Sequence, residues 1–590
     1  MKTIAIDTET TSVDARTARL VSISICLDNG KSTATIWGSD LSKQIVKKIE
    51  DDKTLKVFHN AKFDIRVLRN AGVDVGNNIA DTMIAAQLFI PSKRFGLKHL
   101  TRTILKEDYP EKDELDAWVK KNKKHMSEAP SELLLKYNRK DAVCTMKLWH
   151  FLYQLIQEHK SEEVFWREMN LMLTCVIPME DRGLLLDVDR CMALYQQAGK
   201  LKRDLVKWMR KYTANPKLNP NSNAQIARYI FPGPDDLDEL ARVKEETGVD
   251  IPTRMPIETT ASGKAKVDEY CLKRARTKLA KAVLKYRKVR SAYDRYLCNF
   301  LEMKTENNVI HATFNQNGAR TGRFSCQDPN LQNLPRRGKK SILSQIRSVF
   351  IPRPGYIYVF FDYDQIEIRL AAALSGQDYM LDAIRGGKDL HEMSAQMYFN
   401  TKKNDPGFKQ LRQIAKTQNY VMLYGAGAYK LHMTLLKEAD IMVSVNKCAE
   451  YIDKYWQTNA KIRRYMYKLA DEVYDNAGLR NPYGRFIPVE YYMRYKAGNT
   501  VIQSTAGDII KAAMPRCMEI LEGTHSHMVL MVHDELVFEI HKSETHLIPS
   551  LKDAMEEKEK FDVDITCSIS WGKNWLDKQP LNLDKLRKVR

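Results

Sequence analysis

The chain has 590 residues, in which 94 Lys and Arg outnumber 74 Asp and Glu and give a formal net charge of +20. This length predicts several domains with sizeable cores. The excess of positive charge favours nucleic acid as a partner over the alternative of a solvated basic surface.

Features of secreted and membrane proteins are absent from the sequence. Ten cysteines occur without a C-x-x-C pair, so neither a zinc motif nor a redox motif is indicated, and free thiols in a reducing compartment are expected. The N-terminus does not read as a signal peptide, because Asp7 interrupts its apolar run. Apolar runs fall short of the ~18 residues that span a bilayer. We therefore expect a cytoplasmic protein that does not bind membranes.

The first 155 residues alternate short strands and helices. The stretches 2–7 (KTIAID) and 18–27 (ARLVSISICL) are strand-like, whereas 80–89 (ADTMIAAQLF) has helical character. This alternation predicts a compact α/β domain.

Three acidic patterns occur in this region. Asp7 and Glu9 are two apart at the end of an apolar strand, so both carboxylates point to the same side. Asp64 follows in HNAKFD, and Tyr137 and Asp141 lie four apart in YNRKDAVCT, the spacing of one helix face. Like charges so close repel unless a cation neutralises them, and hard cations prefer oxygen ligands. Each pattern alone is weak, since an acidic pair at a strand end is more often a turn or a cap than a metal site and Tyr137 could instead be a core tyrosine, but the ordered set is specific.

Over roughly residues 1–150 these motifs resemble the DEDD-type 3′→5′ exonucleases, in the subtype whose third motif is Tyr-x-x-x-Asp. The resemblance implies a ribonuclease H-like domain over 1–159. It also implies that two divalent ions are bound, which lower the pKa of a water and stabilise the charged phosphoryl transition state. The implied metal ligands, also implied to be catalytic, are Asp7, Glu9, Asp64 and Asp141. Tyr137 would orient the attacking water.

Residues 160–310 are mostly helical. Between residues 271 and 296 ten Lys or Arg accompany a single acid, Asp294. Apolar residues recur there every three or four positions, which predicts one long helix over 271–300 with a buried face and a basic face that suits a phosphate backbone. The alternative is a solvated charged face. The acidic stretch 231–256 is interpreted as a mobile loop rather than as an insertion that binds a processivity partner.

Residues 311–590 mix strands with long helices and contain a second pair of distant carboxylates. Asp362 ends the apolar strand YIYVFF, and MVLMVHDELVFEI reads as strand, turn and strand with His533, Asp534 and Glu535 at the turn. Such a hairpin can bring Asp534 beside Asp362, and two carboxylates on rigid strands suit a two-metal clamp for in-line phosphoryl transfer. Alone, His-Asp-Glu is no more than a polar hairpin tip.

The stretch 412–425 (RQIAKTQNYVMLYG) predicts a helix with an unusual stripe. Arg412, Lys416, Tyr420 and Tyr424 lie at intervals of four, on one face about 18 Å long. The cations offer donors to phosphate oxygens, and the tyrosines offer flat faces to a base and a sugar. The stripe fits a nucleoside triphosphate, although surface cations that run into two core tyrosines fit equally well.

The order of six motifs resembles that of family A DNA polymerases, which are similar to bacterial DNA polymerase I, over roughly residues 175–590. The motifs are TGRFSCQDPNLQNLP, DYDQIEIR, DLHEMSAQMYF, R-x-x-x-K-x-x-x-Y-x-x-x-YG, NTVIQSTAGDIIK and HDE. The resemblance implies an α+β right-hand architecture. Its parts would be a thumb (160–310), a palm (311–375 and 481–590) and fingers (376–480).

The resemblance also implies a second two-metal site. Asp362 and Asp534 would hold two Mg²⁺, with the backbone carbonyl near Tyr363 helping, and Mn²⁺ can substitute at either site. The residues implied to be catalytic are Asp362, Asp534, Glu535 and Lys416. Those implied to bind the nucleotide are Gln365, Glu367, His391, Arg412, Lys416, Tyr420 and Tyr424. Arg412, Lys416 and His391 would grip the β and γ phosphates.

Two further sets of roles follow from the resemblance. Glu367 would crowd the sugar 2′ position and exclude ribonucleotides, and Tyr424 would pack at the templating site; the alternative for Glu367 is a surface acid at a helix start. The residues implied to contact DNA are Arg323, Asn499, Gln503 and His533. The first three would read the minor-groove side, and His533 would flank the primer end together with Glu535; Gln503 could instead be a core amide.

Three positions depart from the family pattern. Tyr420 stands where many members have Phe, and its hydroxyl would sit where the 3′-OH of a dideoxynucleotide is missing, which predicts ready use of dideoxynucleotides. Asp364 replaces the usual Ser and either perturbs metal binding or accepts a local hydrogen bond. Ser504 replaces the usual Gly, which leaves the local backbone fit open.

Together the sequence predicts a template-directed DNA polymerase with a proofreading exonuclease. Its expected partners are primer–template DNA and dNTPs, and we expect a monomer; a processivity factor, a helicase or a single-strand-binding protein is left open. The length leaves no room for a separate 5′-nuclease domain, which favours a phage replicative enzyme in a bacterial host over a cellular or organellar repair enzyme.

Two other functions are weighed against this one. A single-subunit RNA polymerase shares the two aspartates and a Lys/Tyr helix, but Glu367 and the exonuclease motifs argue against it. A DNA-binding scaffold, or an exonuclease with an inert polymerase half, is opposed by the intact acidic set.

Overall fold

A computed structural model describes residues 2–92, 94–248, 254–255, 257–335 and 341–582. The chain forms two compact units. The first unit contains the residues up to Asp181 with 314–325 and 469–519, and the second contains 182–313, 326–468 and the residues from Ile520 onward. The predicted boundaries of the exonuclease, thumb, palm and fingers stay predictions.

The strands of five or more residues all lie in two sheets. In chain order they are β1 (Lys2–Thr10), β2 (Leu20–Leu27), β3 (Ser32–Ile36), β4 (Thr54–Phe58), β5 (Ile79–Asp81), β6 (Leu184–Leu186), β7 (Val309–Ile310), β8 (Thr313–Asn315), β9 (Ser325–Gln327), β10 (Phe350–Ile351), β11 (Tyr356–Tyr363), β12 (Gly478–Arg480), β13 (Phe486–Pro488), β14 (His527–Val532), β15 (Glu535–His541), β16 (Cys567–Gly572) and β17 (Gln579–Pro580).

Helices make up most of the remaining regular structure. In chain order they are α1 (Asp40–Ile49), α2 (Ala61–Asn70), α3 (Thr82–Phe89), α4 (Leu97–Leu100), α5 (Pro110–Asn122), α6 (Ser131–Glu158), α7 (Glu162–Leu171), α8 (Ile177–Arg182), α9 (Val188–Tyr212), α10 (Asn223–Ile230), α11 (Leu237–Thr247), α12 (Glu269–Ala275), α13 (Lys278–Arg290), α14 (Cys298–Met303), α15 (Ile342–Gln345), α16 (Ile366–Ser375), α17 (Asp378–Arg385), α18 (Leu390–Phe399), α19 (Phe408–Leu423), α20 (Ala428–Ala439), α21 (Val445–Thr458), α22 (Ala460–Asn476), α23 (Ala497–Leu521) and α24 (Ile548–Met555). Within the described ranges, no helix is both long enough and apolar enough to cross a membrane.

The first unit is built on a five-stranded sheet in the order β3-β2-β1-β4-β5. The central strand β1 runs antiparallel to β2 and parallel to β4. Its residues Ile4 and Ile6 are buried in a core shared with Leu148 and Leu152 of α6, a long helix that packs against β1 and β2. The predicted strands at 2–7 and 18–27 and the helix within 80–89 are confirmed, and this helix begins at Thr82 because Asp81 caps it by accepting a hydrogen bond from Met83 N.

The second unit contains an antiparallel sheet in the order β14-β15-β11-β16-β17. The hairpin β14–β15 turns at His533 and Asp534, as the sequence predicts, whereas Glu535 is already the first residue of β15. Because β15 pairs with β11 in a register that places Glu535 opposite Asp362, the turn lies at the same sheet edge as the end of β11. This pairing positions the second group of predicted site residues.

The helical region before this sheet differs from the sequence prediction. The predicted single helix over 271–300 is wrong at its start, because Arg276 adopts a left-handed conformation (φ 55°) and Thr277 caps a new helix by accepting a hydrogen bond from Ala280 N at 3.1 Å. Beyond that break the helical run continues to Met303 through a π-helical segment, Ser291–Leu297, with most of the predicted apolar face buried.

The acidic stretch 231–256 is not simply a loop. It includes the helix α11, which ends at a left-handed Gly248 (φ 66°), so the prediction of a loop is wrong for this part. Residues 249–253 and 256 of the stretch lie outside the described residues.

Candidate active sites

In the first unit, β1 and α6 bring three predicted carboxylates together. Oxygen atoms of Asp7, Glu9 and Asp141 all lie within 4.8 Å of one another. Asn138, one helical turn from Asp141, donates a hydrogen bond from Nδ2 to Asp7 Oδ2 at 2.7 Å. The acids spaced two apart on β1 and the acid of the helix face on α6 therefore lie together, because α6 packs directly on β1.

The fourth predicted carboxylate, Asp64, lies in the first turn of α2 and is buried. Thr8, between the two acids of β1, donates its hydroxyl to Asp64 Oδ1 at 2.6 Å. Burial raises the pKa of Asp64 to about 7. The charge of Asp64 in turn raises the pKa of Asp7, so Asp64 belongs to the same electrostatic cluster.

The cluster fits divalent cations. Burial, followed by the charge of Asp141, raises the pKa of both Asp7 and Glu9 well above the usual range of carboxyl groups. The cause is that several like charges are held together away from water. Carboxylate oxygens are the ligands that Mg²⁺ and Mn²⁺ prefer, and a divalent ion among them would remove this electrostatic cost.

Two residues that the sequence did not reveal also contact Asp141. Lys98 of the short helix α4 forms an ion pair with Asp141, and the hydroxyl of Tyr109 donates a hydrogen bond to the same carboxylate. Burial alone would lower the pKa of Lys98, but the charges of Asp141 and Asp7 outweigh it and raise that pKa. Neither residue lies in a periodic pattern or a motif, so the sequence carried no signal for them.

Tyr137 lies one turn before Asp141 and is buried. Its ring is 4.7 Å from Lys98 Nζ and 6.5 Å from the ring of Tyr109. Burial and the charge of Asp141 raise the pKa of Tyr137, so its phenol stays protonated and can donate a hydrogen bond.

In the second unit, the ends of β11 and the hairpin assemble the other predicted site. Tyr363 N donates a hydrogen bond to the backbone oxygen of Asp534 at 3.0 Å, so Asp534 lies beside the end of the strand that carries Asp362. The first residue of β15, Glu535, pairs across the sheet with Asp362 and forms an ion pair with Lys578 at 2.5 Å. The turn residue His533 adopts a left-handed conformation (φ 55°).

The tyrosine end of the predicted stripe shares this site. Burial raises the pKa of Tyr420 to about 12, and the charges of Glu367, Asp534 and Asp362 contribute to the rise. The carboxylates therefore lie within electrostatic range of Tyr420 on α19. A groove of about 410 Å³ lies beside this helix, lined among others by Lys416, Tyr420 and Tyr424.

The stripe ends against α16. Tyr424 directly follows the last residue of α19, and its hydroxyl donates to Glu367 Oε2 at 3.4 Å. Glu367 is buried in the first turn of α16, which removes the alternative of a surface acid. Gln365 precedes the same helix in a left-handed conformation (φ 51°), and its buried side-chain oxygen Oε1 has no hydrogen-bond partner in the described structure.

The cationic end of the stripe is held by α18. Arg412 forms an ion pair with Asp389, and Asp389 also caps α18 by accepting hydrogen bonds from the backbone N of His391 (2.8 Å) and of Glu392 (3.0 Å). Burial, followed by the charge of Lys416, lowers the pKa of His391 to about 4. His391 is therefore a neutral imidazole at pH 7, and its Nε2 has no hydrogen-bond partner among the described residues.

Two departures from the family pattern have a structural explanation. Asp364 accepts hydrogen bonds from Thr566 (3.0 Å) and Ser568, which supports the local hydrogen bond over the perturbation of a metal site. Ser504 is fully buried, and its Oγ accepts a hydrogen bond from Asn481 Nδ2 at 2.9 Å, so the added hydroxyl fits the local packing.

The remaining predicted DNA contacts lie in the first unit. Asn499 and Gln503 are half-buried and four residues apart on α23. Arg323 is half-buried, and it packs against the same helix at Gly507, where a Cβ atom would lie 3.4 Å from Arg323 Cγ.

A buried ion network that the sequence did not reveal anchors α23. Arg485 donates to Asp508 at 2.7 Å and also pairs with Glu168, while Lys511 donates to Glu168 at 2.6 Å and to Asn317 at 3.1 Å. The four charged side chains are nearly inaccessible to solvent. The network links α7, the residues after β12 and α23 within the first unit.

Comparison with known proteins matches both regions of the chain. The family model described as DNA polymerase family A matches residues 189–577, and the one described as 3′-5′ exonuclease matches residues 1–157. DNA polymerase I of Synechocystis sp. is 28% identical over 97% of this chain and 60% of its own length. DNA polymerase I of Chloroflexus aurantiacus is 28% identical over 98% of this chain and 61% of its own length. The chain thus spans about 60% of the length of these relatives.

A solved structure shares the fold. The POL domain of Pol1 from M. smegmatis, in complex with DNA primer-template and dNTP, aligns with a TM-score of 0.80 at 22% identity over 97% of this chain and 95% of that one. The predicted fold class, an α/β exonuclease domain followed by an α+β polymerase domain, is confirmed. By its sequence and its fold, this chain belongs to DNA polymerase family A, with a 3′→5′ exonuclease domain preceding the polymerase region.

Proposed function

We propose that this chain is a template-directed DNA polymerase that extends a primer with dNTPs and proofreads through its 3′→5′ exonuclease. The observation that carries the proposal is the common site of Asp362, Asp534 and the tyrosine face of α19: Asp534 lies beside the end of the strand that carries Asp362, and burial, followed by the charges of nearby carboxylates that include both aspartates, raises the pKa of Tyr420 to about 12. The separate carboxylate cluster of the first unit supports the second activity.

In the proposed polymerase site, the carboxylates would bind metal ions and the stripe on α19 would bind the nucleotide. Asp362 and Asp534 would hold divalent ions, which neutralise the triphosphate and stabilise the in-line transition state. Lys416 contributes positive charge from the middle of α19, and Arg412 can offer its guanidinium to phosphate oxygens once it leaves Asp389. His391 adds a neutral ring whose Nε2 is available for a hydrogen bond.

At the tyrosine end of the stripe, Glu367 and the two tyrosines would contact the sugar and the base of the nucleotide. Glu367 is held by Tyr424, so its carboxylate has a fixed position from which to exclude a 2′-OH. A change of Glu367 to Ala should raise ribonucleotide incorporation, measured by primer extension with rNTPs. If Glu367→Ala discriminated between rNTPs and dNTPs as the wild type does, this role would be contradicted. If the wild type itself already extended primers well with rNTPs, the RNA polymerase alternative would be favoured.

Tyr420 predicts the response to dideoxynucleotides. With mixed deoxy- and dideoxynucleotides, the wild-type protein should incorporate dideoxynucleotides readily and so terminate the growing primer. Tyr420→Phe should restore preference for the deoxy form, because the ring is kept and only the hydroxyl is lost. Strong rejection of dideoxynucleotides by the wild type would contradict this role.

In the exonuclease site, Asp7, Glu9, Asp64 and Asp141 would hold ions that activate a water and stabilise the phosphoryl transition state. The protonated hydroxyl of Tyr137 can orient that water by a hydrogen bond. Lys98 positions Asp141 through their ion pair.

A labelled primer–template incubated with and without dNTPs and Mg²⁺ tests both activities together. Asp534→Asn should abolish extension and keep 3′ degradation, whereas Asp7→Asn should do the reverse. If Asp534→Asn extended primers at the wild-type rate, the proposed polymerase site would be wrong. The number of Mg²⁺ ions, the phage replicative role, the monomeric state and the accessory partners stay predictions from the sequence.

A further inference from the structure

Four exposed tyrosines lie on two segments of the first unit that meet at one ring contact, outside the residues proposed for catalysis. Three come from the 3-10 segment Tyr491–Lys496 that precedes α23, and the fourth, Tyr474, comes from the end of α22. The exposed fractions are 71% for Tyr474, 54% for Tyr491, 71% for Tyr492 and 60% for Tyr495. We call this group the tyrosine cluster.

The cluster interleaves rings with cations. The ring of Tyr491 lies 5.8 Å from the ring of Tyr474 in an edge-to-face arrangement, and the guanidinium of Arg494 lies 4.3 Å above Tyr491. Lys496 is 5.3 Å from the ring of Tyr495. One pair of rings is therefore in contact, two of the four rings have a cation nearby, and all four stay exposed.

The acid nearest to the 3-10 segment is already neutralised. Glu490 forms an ion pair with Arg320 at 3.2 Å and accepts a hydrogen bond from Tyr492. On α22, Asp471 and Asp475 lie three residues before and one residue after Tyr474, so the positive charge is concentrated at the 3-10 segment rather than at the helix. An anionic chain that follows the cluster would meet Arg494 and Lys496.

Exposed aromatic faces flanked by cations match the chemistry of unpaired nucleotides. Bases of a single strand can stack on such rings while cations contact the phosphates, whereas the bases of a duplex are already stacked on each other. An apolar protein partner would instead favour a continuous hydrophobic patch without interleaved charge. We propose that the tyrosine cluster binds single-stranded DNA by stacking.

The test uses the full chain in EDTA, so that neither proposed active site turns over. Binding of a fluorescent oligo(dT) of about 16 nucleotides and of a blunt duplex of equal length is measured by anisotropy. Tyr474→Ala/Tyr492→Ala removes the two most exposed rings. The matched control, Tyr474→Phe/Tyr492→Phe, keeps both rings and removes only the hydroxyl groups.

Stacking predicts that the alanine pair weakens oligo(dT) binding about tenfold or more, and that the phenylalanine pair stays within about twofold of the wild type. Duplex binding should change little in either pair. Arg494→Gln should lower the slope of log affinity against log salt by about 0.7, the value for one phosphate contact on a single strand.

Three results would overturn the proposal. They are an unchanged oligo(dT) affinity in the alanine pair, an equal loss of duplex affinity, and a loss in the phenylalanine pair as large as in the alanine pair. Because the assay needs no catalysis, any of these leaves the proposed polymerase and exonuclease activities to be judged by primer extension and degradation alone.

Discussion

Two groups of buried charges in the first unit differ in how completely they are balanced. In the ion network around α23, burial pushes the pKa of Asp508 up, but the charge of Arg485 outweighs it and lowers that pKa to about 2. The pKa of Glu168 is likewise lowered by Lys511 and Arg485 against the effect of burial. In the carboxylate cluster of β1 and α6, burial and like charges raise the pKa of Asp7 and Glu9 instead.

This difference separates a structural role from a binding role. The ion network contains two acids and two cations in direct contact, so it needs nothing further to be stable as a buried group. The carboxylate cluster has three acids within 4.8 Å and one lysine on Asp141, so a positive charge is still missing. A group that is left electrostatically incomplete indicates a site for a cation.

The largest effect is expected from breaking the balanced group. Arg485→Met should lower the free energy of unfolding by about 3–5 kcal/mol, because it leaves buried Asp508 and Glu168 short of a partner. Urea or thermal unfolding measures this change. Arg480→Met is the control: this exposed arginine bonds to backbone oxygens, and its loss should cost about 1 kcal/mol. Equal losses in the two variants would contradict the contrast.

The unbalanced group should respond in the opposite way. Asp7→Asn should reduce 3′ degradation by more than the ~10–100-fold that loss of an outer-sphere partner costs. In EDTA the same variant should unfold at a temperature no lower than the wild type, since one of the repelling charges is gone. Asp14→Asn, an exposed acid paired with Arg16, is the control and should change neither property. A destabilised Asp7→Asn would show that the cluster is balanced after all.

Low pH should weaken the balanced ion network, because Asp508 becomes protonated. The folded pKa of Asp508 is lowered to about 2, below its unfolded value of about 3.9. Its stabilising effect of about 2–3 kcal/mol is therefore complete above pH 4 and is lost as the pH falls towards 2. The difference in unfolding free energy between wild type and Asp508→Asn should shrink over that interval. A difference that stays constant from pH 6 to about pH 2 would rule out this linkage.

The smallest expected effect is that of added metal. Mg²⁺ at about ten times its Kd should raise the free energy of unfolding by about 1.4 kcal/mol per site. Thermal melting measures the stabilisation by Mg²⁺, which should be smaller in Asp7→Asn than in the wild type and equal to that of the wild type in Asp14→Asn. The same shift in all three proteins would place the bound ion away from the carboxylate cluster.

The sequence predicts a residue well where one local period decides its position. Asp7 and Glu9 follow from strand alternation, Tyr137 and Asp141 from the helical repeat, and the hairpin turn at Asp534 from its flanking apolar strands. These elements are strongly periodic, so their side chains can be placed before the tertiary structure is known.

The sequence fails where the partner is distant or where a cap competes with periodicity. Lys98 and Tyr109 reach Asp141 from segments without a pattern, and the partners Glu168 and Lys511 are 343 residues apart. The helix over 271–300 breaks because Thr277 offers a cap, although the apolar spacing alone would continue. Such contacts depend on which segments the tertiary structure brings together.

The ion pair between Arg412 and Asp389 has a consequence for the proposed nucleotide site. Asp389 serves two functions, since it caps α18 and also occupies the guanidinium of α19. A triphosphate that binds Arg412 must displace the carboxylate of Asp389, so the loss of this ion pair offsets part of the favourable binding free energy. In return the ion pair keeps the guanidinium oriented and its charge neutralised until that exchange takes place.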